Sequence, residues 1–117
     1  MNTPASRRGR AVEIIAREAA GFIAREAGDG SLITVVRAQA TSHGDRVMVF
    51  VSIFPEEKAR TALAFLERQR EAFSGHLKTH TRLRPLPRVD FMLDNREDSG
   101  EPHMRGANES DGGQGGN

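Results

Sequence analysis

At 117 residues the chain holds one domain and leaves little room for an enzyme built around a large cleft. It contains no cysteine, which excludes disulfides, thiolate nucleophiles and thiolate metal sites, and no Trp or Tyr, so base-stacking aromatics are limited to six Phe. The net charge of +1 conceals a split: residues 1–93 carry 15 Lys and Arg against 10 Asp and Glu, and residues 94–117 carry 2 against 6. A basic body points to an anionic partner, most commonly nucleic acid, with ordinary scatter of surface charge as the bland alternative.

No apolar run approaches the roughly 20 residues needed to span a bilayer. The opening MNTPASRRGRAVEII has no apolar signal core, and Glu13 argues against a transit peptide. A cytoplasmic protein is therefore expected.

Residues 1–5 are read as a flexible N-terminus. From Ser6 to Ala27 the apolar positions Val12, Ile15, Ala19, Phe22, Ile23 and Ala27 recur at helical spacing, with Ser6 as the expected cap and Gly28 as the stop. Gly21 inside this pattern implies close packing against a neighbour. The segment LITVVRAQAT (32–41) reads as a strand with Thr34, Val36, Ala38 and Ala40 on one face and Arg37 and Gln39 on the other. SHGD (42–45) is a turn, and RVMVFVSIF (46–54) is a second strand, making an antiparallel hairpin.

Pro55, Glu56 and Glu57 open the next helix, with proline in the first turn and acids at the positive end of the dipole. Its buried stripe is Ala59, Ala62, Leu63, Leu66, Phe73 and Leu77, and a bend is expected at Ser74-Gly75. RLRPLP (82–87) is extended by proline chemistry. RVDFMLD (88–94) is a third strand in which Val89, Phe91 and Leu93 alternate with Asp90 and Met92. Beyond Asp94 periodicity ends, and residues 95–117, polar, acidic and glycine-rich, are expected as a disordered tail. The order α-β-β-α-(kink)-α-β gives a two-layer α+β domain over residues 6–94, with helices on one face of a three-stranded sheet.

That order, with a bent helix where some RNA-binding domains carry a Gly-x-x-Gly loop, resembles the type II KH arrangement. The segments also resemble one family in particular. RRGRAVEIIARE is similar to the opening helix of ribosome-binding factor A, and SLITVVRAQATSHGDRVMVFVSIF to its central hairpin. FSGHLKT followed by RLRPLPRVDFMLDN is similar to its kinked helix and last strand. The resemblance covers about residues 6–95. It implies a non-catalytic factor that binds 16S rRNA and the small (30S) ribosomal subunit late in biogenesis, assisting rRNA end processing and growth in the cold. The family's kink reads Ala-x-Gly. Here Phe73 stands in place of the alanine, and the stretch from Gly75 to Arg82 is about one helical turn short. The third helix is therefore expected as a stub from His76 to Thr81.

The candidate RNA-binding residues fall in three groups. Ser74 and Gly75, with His76 behind them, offer a bare backbone and free amides at a helix start, which suit a phosphate; a helix C-cap glycine is the structural alternative. Lys78, Arg82, Arg84 and Arg88 form a run free of acids from Ala72 to Val89, suited to phosphates or else to blunting an exposed strand. Arg7, Arg8 and Arg10 sit at the positive end of the first helix, where their charge does not help the helix. His76 and His80, four apart, have metal-binding spacing but no acid on the same turns, and are read as exposed histidines joining the basic surface. No metal, cofactor or small-molecule substrate is expected.

Nothing in the residues supports catalysis. Glu56-Glu57 and Glu67-Glu71 lie at a helix start or beside Arg60, Arg68 and Arg70, as solvated helix faces do, and Ser52 and Ser74 lack a basic partner dictated by spacing. A monomer that does not engage membranes is expected. The alternatives left open are a KH-like module for another RNA and a protein-interaction domain that uses the hairpin edge.

Overall fold

The first helix, α1 (Ser6–Glu26), turns the expected apolar stripe inward: Ile15, Ala19, Phe22 and Ile23 are buried and Val12 and Ala27 pack beside them. In this computed structural model the described residues are 6–28 and 30–94, with side chains from residue 9 onward. The expected flexible N-terminus (1–5) and acidic tail (95–117) lie outside them. Gly21 is not a close-packing position, because an added Cβ would meet only the end of the Arg25 side chain at 3.6 Å.

Strands β1 (Leu32–Ala40), β2 (Arg46–Phe54) and β3 (Arg88–Leu93) form one sheet in that order. The pair β1–β2 is an antiparallel hairpin closed by Thr41–Asp45, where Gly44 has φ 76°, a left-handed conformation that glycine adopts without strain. The pair β2–β3 is parallel, so the chain must cross over between them, and the helices supply that connection. Central β2 alternates cleanly: Val47, Val49, Val51 and Ile53 are buried beneath the helices, joined by Val89 and Phe91 of β3.

The expected face of β1 is corrected by a bulge. Pairing runs from Leu32↔Phe54 to Val35↔Val51, then resumes at Arg37↔Phe50. One extra residue shifts the alternation, so Ile33 and Val35 face the core before the bulge and Ala38 and Ala40 after it. Thr34 and Val36, expected on one face with Ala38 and Ala40, are exposed instead. Strict alternation would have buried a threonine and exposed isoleucine, which the bulge avoids. On the open face Arg37 lies over the Phe50 ring, 3.8 Å from its centroid, and reaches Asp94 at 3.6 Å. That guanidinium ties β1 to the end of β3 across the central strand.

Pro55 leads into a short 3-10 turn (Glu56–Lys58), then α2 (Ala59–Arg68) and α3 (Arg70–His80). The bend between the helices falls at Gln69, not at Ser74-Gly75. Gln69 has φ −91° and ψ 0°; its N–H donates to the Phe65 and Leu66 carbonyls, and its own carbonyl accepts from Phe73 N–H at 2.8 Å. The physical reason is a gap in the apolar stripe. Nothing between Leu66 and Phe73 is anchored in the core, so the axis is free to turn there. Gly75 costs its helix only about 1 kcal/mol relative to alanine. Phe73 and Leu77, both wholly buried on either side of it, outweigh that several-fold. The third helix is accordingly an 11-residue element and not the expected stub from His76 to Thr81. Phe73 sits at the centre of the core, with ring centroids of Phe22 at 5.2 Å and Phe91 at 5.9 Å.

Candidate nucleic-acid interface

Helix α3 carries most of the candidate residues, and its periodicity separates them. Leu77 and Phe73 point into the core, which leaves Gly75, Lys78, Thr79 and His80 exposed and Ser74 half-buried. An added Cβ at Gly75 would meet nothing within 4 Å, so the helix backbone is open to approach there. Gly75 is helical, however, and its amide is not a free donor at a helix start. The helix-start reading of Ser74-Gly75 is thereby corrected. What remains is a smooth, side-chain-free patch on an exposed helix.

His76 is not an exposed member of the basic surface. Its side chain is only 10% exposed and is wedged between α1 and α3. Nε2–H donates to Glu18 Oε1 at 2.7 Å, while Arg25 donates to Nδ1 at 3.4 Å, a pair of contacts that the Nε2–H tautomer satisfies. The ring also stacks on Phe73 at 6.0 Å and on the exposed His80 at 4.1 Å. Its role is to seal the seam between two helices. Spacing had offered His76 and His80 as a metal pair; among the described residues no group of three or more His, Asp or Glu is placed to hold a metal ion.

The C-terminal end of α3 is thoroughly capped. Thr81 N–H and Oγ1–H both donate to the Leu77 carbonyl, at 3.0 and 2.7 Å. Arg84 folds back and donates to the carbonyls of Lys78, at 3.0 Å, and Leu83. Arg84 is therefore engaged with its own chain, whereas Lys78 and Arg82 extend from the surface with no ion-pair partner among the described residues. Positive charge at a helix C-terminus is favourable to the dipole, so Lys78 has a structural benefit as well as a functional use.

Segment 83–87 closes one wall of an open cleft of about 840 Å³, whose other walls are the first turns of α1 (Gly9, Val12) and the β1 end and hairpin turn (Ala40, His43, Gly44). The cleft brings Arg84 beside the helix end from which Arg10 projects, exposed. The backbone of Arg7 and Arg8 belongs to α1, whose first turn contains no acid, but their side chains lie outside the described residues. Arg88 stands apart, on β3, 3.8 Å from the Asp90 carboxylate. The candidates thus fall into a group at the end of α3, a group in the first turns of α1, and Arg88 on β3. Sequence reasoning missed Asp90 as an organising group, together with Arg46 and Arg70, which converge on it. Among the described residues no helix is long and apolar enough to cross a membrane.

The class of protein defined here is a KH type II-like α+β domain with a mixed three-stranded sheet, order α-β-β-α-α-β. No protein-family model and no curated protein sequence matches the chain. Solved structures do. The crystal structure of ribosome-binding factor A from Thermus thermophilus superposes with a TM-score of 0.62 at 27% identity, over 74% of this chain and 93% of that one. A Thermotoga maritima protein provisionally assigned to ribosome binding factor A gives a TM-score of 0.58 at 23% identity, over 78% and 90%. Coordinates of the Thermus thermophilus factor fitted into a cryo-EM map of its complex with 30S give 0.57 at 24%, over 82% and 96%. By fold, the chain is similar to these ribosome-binding factor A structures.

Proposed function

We propose that this chain is a non-catalytic assembly factor of the small ribosomal subunit, binding 16S rRNA late in biogenesis as a soluble monomer, aiding rRNA end processing and growth in the cold. The observation that carries the reading is the likeness to Thermus thermophilus ribosome-binding factor A along 93% of that protein's length. The Thermus factor is itself the protein fitted in a 30S complex. The exposed cations Lys78 and Arg82 at the end of α3, with no ion-pair partner among the described residues, support a surface that neutralises phosphates.

Co-sedimentation with purified small subunits, 70S ribosomes and free RNA tests this function. Selective co-migration with small subunits is expected. Equal affinity for all three would favour a KH-like module for another RNA, and retention by none of them would refute the proposal.

A further inference from the structure

Asp90 is the one buried charged residue among the described residues, 5% exposed, and three guanidinium groups converge on it. Arg46 Nε donates to Oδ2 at 2.5 Å. Arg70 lies 3.4 Å from Oδ1 and shares itself with Glu67 at 3.0 Å. Arg88 Nε lies 3.8 Å from Oδ1. Asp45, in the turn before Arg46, accepts a hydrogen bond from the Thr41 hydroxyl and pairs with none of the three. Two carboxylates, Asp90 and Glu67, are therefore paired with three guanidinium groups, and the cluster keeps an excess of positive charge.

A buried carboxylate needs cations and donors on both oxygens to offset its desolvation, and Arg46 on Oδ2 with Arg70 on Oδ1 meets that need. The manner in which Arg46 and Arg88 make contact has a further consequence. Arg46 and Arg88 are register partners on the parallel strands β2 and β3, side by side on the face of the sheet away from the helices. Both turn Nε toward Asp90. Their terminal Nη groups have no further partner among the described residues, and the side chains are 49% and 63% exposed. Two planar forks are thus held by a shared buried anchor and open outward, the arrangement that matches phosphate oxygens.

We infer that Arg46 and Arg88, positioned by Asp90, form a second phosphate-binding site on the open sheet face, which takes the phosphodiester backbone of RNA. This inference rests on the RNA-binding reading above and adds a contact surface separate from the α3 end. Neither arginine lines the cleft between α1 and segment 83–87, so a backbone laid across the strands fits better than a small enclosed ligand.

The test uses the full chain with R46Q/R88Q, R46K/R88K and K78E/R82E variants. Binding to small subunits and to single-stranded RNA is measured across a salt series. R46Q/R88Q is expected to weaken binding by roughly tenfold or more. It should also flatten the slope of log K against log salt by about 1.4, the release of two counterion contacts on a single strand. R46K/R88K keeps the charge but cannot make the Nε contact, and is expected to bind more weakly than wild type. If R46Q/R88Q fails to fold, the lysine variant decides alone. Wild-type affinity and slope in the folded glutamine variant, or wild-type affinity in the lysine variant, overturns the site. If K78E/R82E loses binding in the same series, the proposed function survives that outcome. No binding by the wild-type chain overturns both.

Discussion

Gly75→Ala separates the helical reading of α3 from a kink reading in one substitution. Residue 75 lies inside a helix that runs from Arg70 to His80, and an added Cβ meets nothing within 4 Å. Replacing a mid-helix glycine removes backbone entropy from the unfolded chain without a steric penalty in the folded one. The gain is about 0.5–1 kcal/mol. For a domain of this size that corresponds to a rise in Tm of roughly 2–8 °C. Urea titration followed by far-UV circular dichroism, alongside calorimetry, measures both. A loss of stability would mean that residue 75 occupies a backbone conformation alanine cannot adopt, and the continuous helix would be wrong. The same variant probes the interface. The patch is bare and exposed, so a methyl group there is expected to weaken small-subunit binding several-fold even as the fold is strengthened. Unchanged binding would remove Gly75 from the contact surface.

Phe73→Ala empties the centre of the core, where the ring is wholly buried against Phe22, Phe91 and His76, and is expected to cost about 3–5 kcal/mol. A chemical-denaturation loss below about 1.5 kcal/mol would show that the site collapses around the cavity. Arg84→Ala removes donors to two carbonyls at an exposed helix end and should cost no more than about 1 kcal/mol. It should also reduce RNA binding less than Lys78→Ala, because Arg84 is already engaged; the reverse order in a filter-binding assay would contradict this. Deleting residues 96–117 removes a segment with more acids than bases and is expected to tighten RNA binding at low salt, an effect that fades as salt rises. Identical affinities at low salt would dismiss competition between the acidic segment and RNA.

The strand β2 was legible as an element, from its β-branched run 46–54; which of its faces is buried is seen in Val47, Val49, Val51 and Ile53 beneath the helices. In β1 the expected alternation failed at Val36. Alternation in one strand does not reveal a bulge, which depends on what the partner strand places opposite. The bend was misplaced because glycine is the louder local signal. The deciding feature was the absence of a core anchor between Leu66 and Phe73, together with the reach of Arg70 to a carboxylate on β3. Among the site residues, Lys78 and Arg82 were legible as exposed cations, whereas Arg88, from the same acid-free run, pairs with Asp90. His76 was not, since its environment is made by Glu18 and Arg25, 58 and 51 residues away in sequence. Asp90 was read only as alternating with Val89 and Phe91 along the strand. Its burial under Arg46, Arg70 and Arg88 is a tertiary fact that no local pattern carries.

On the proposed function, this chain engages the small ribosomal subunit through phosphate contacts centred on the end of α3. The most direct test is co-sedimentation of wild-type and K78E/R82E chains with purified small subunits across a salt series, after calorimetry has shown that the two are equally folded. Wild type should bind with a steep, linear dependence of log K on log salt, and the variant should be lost from the subunit fraction at every salt concentration. Salt-independent binding, or equal binding by the two proteins, would contradict the account.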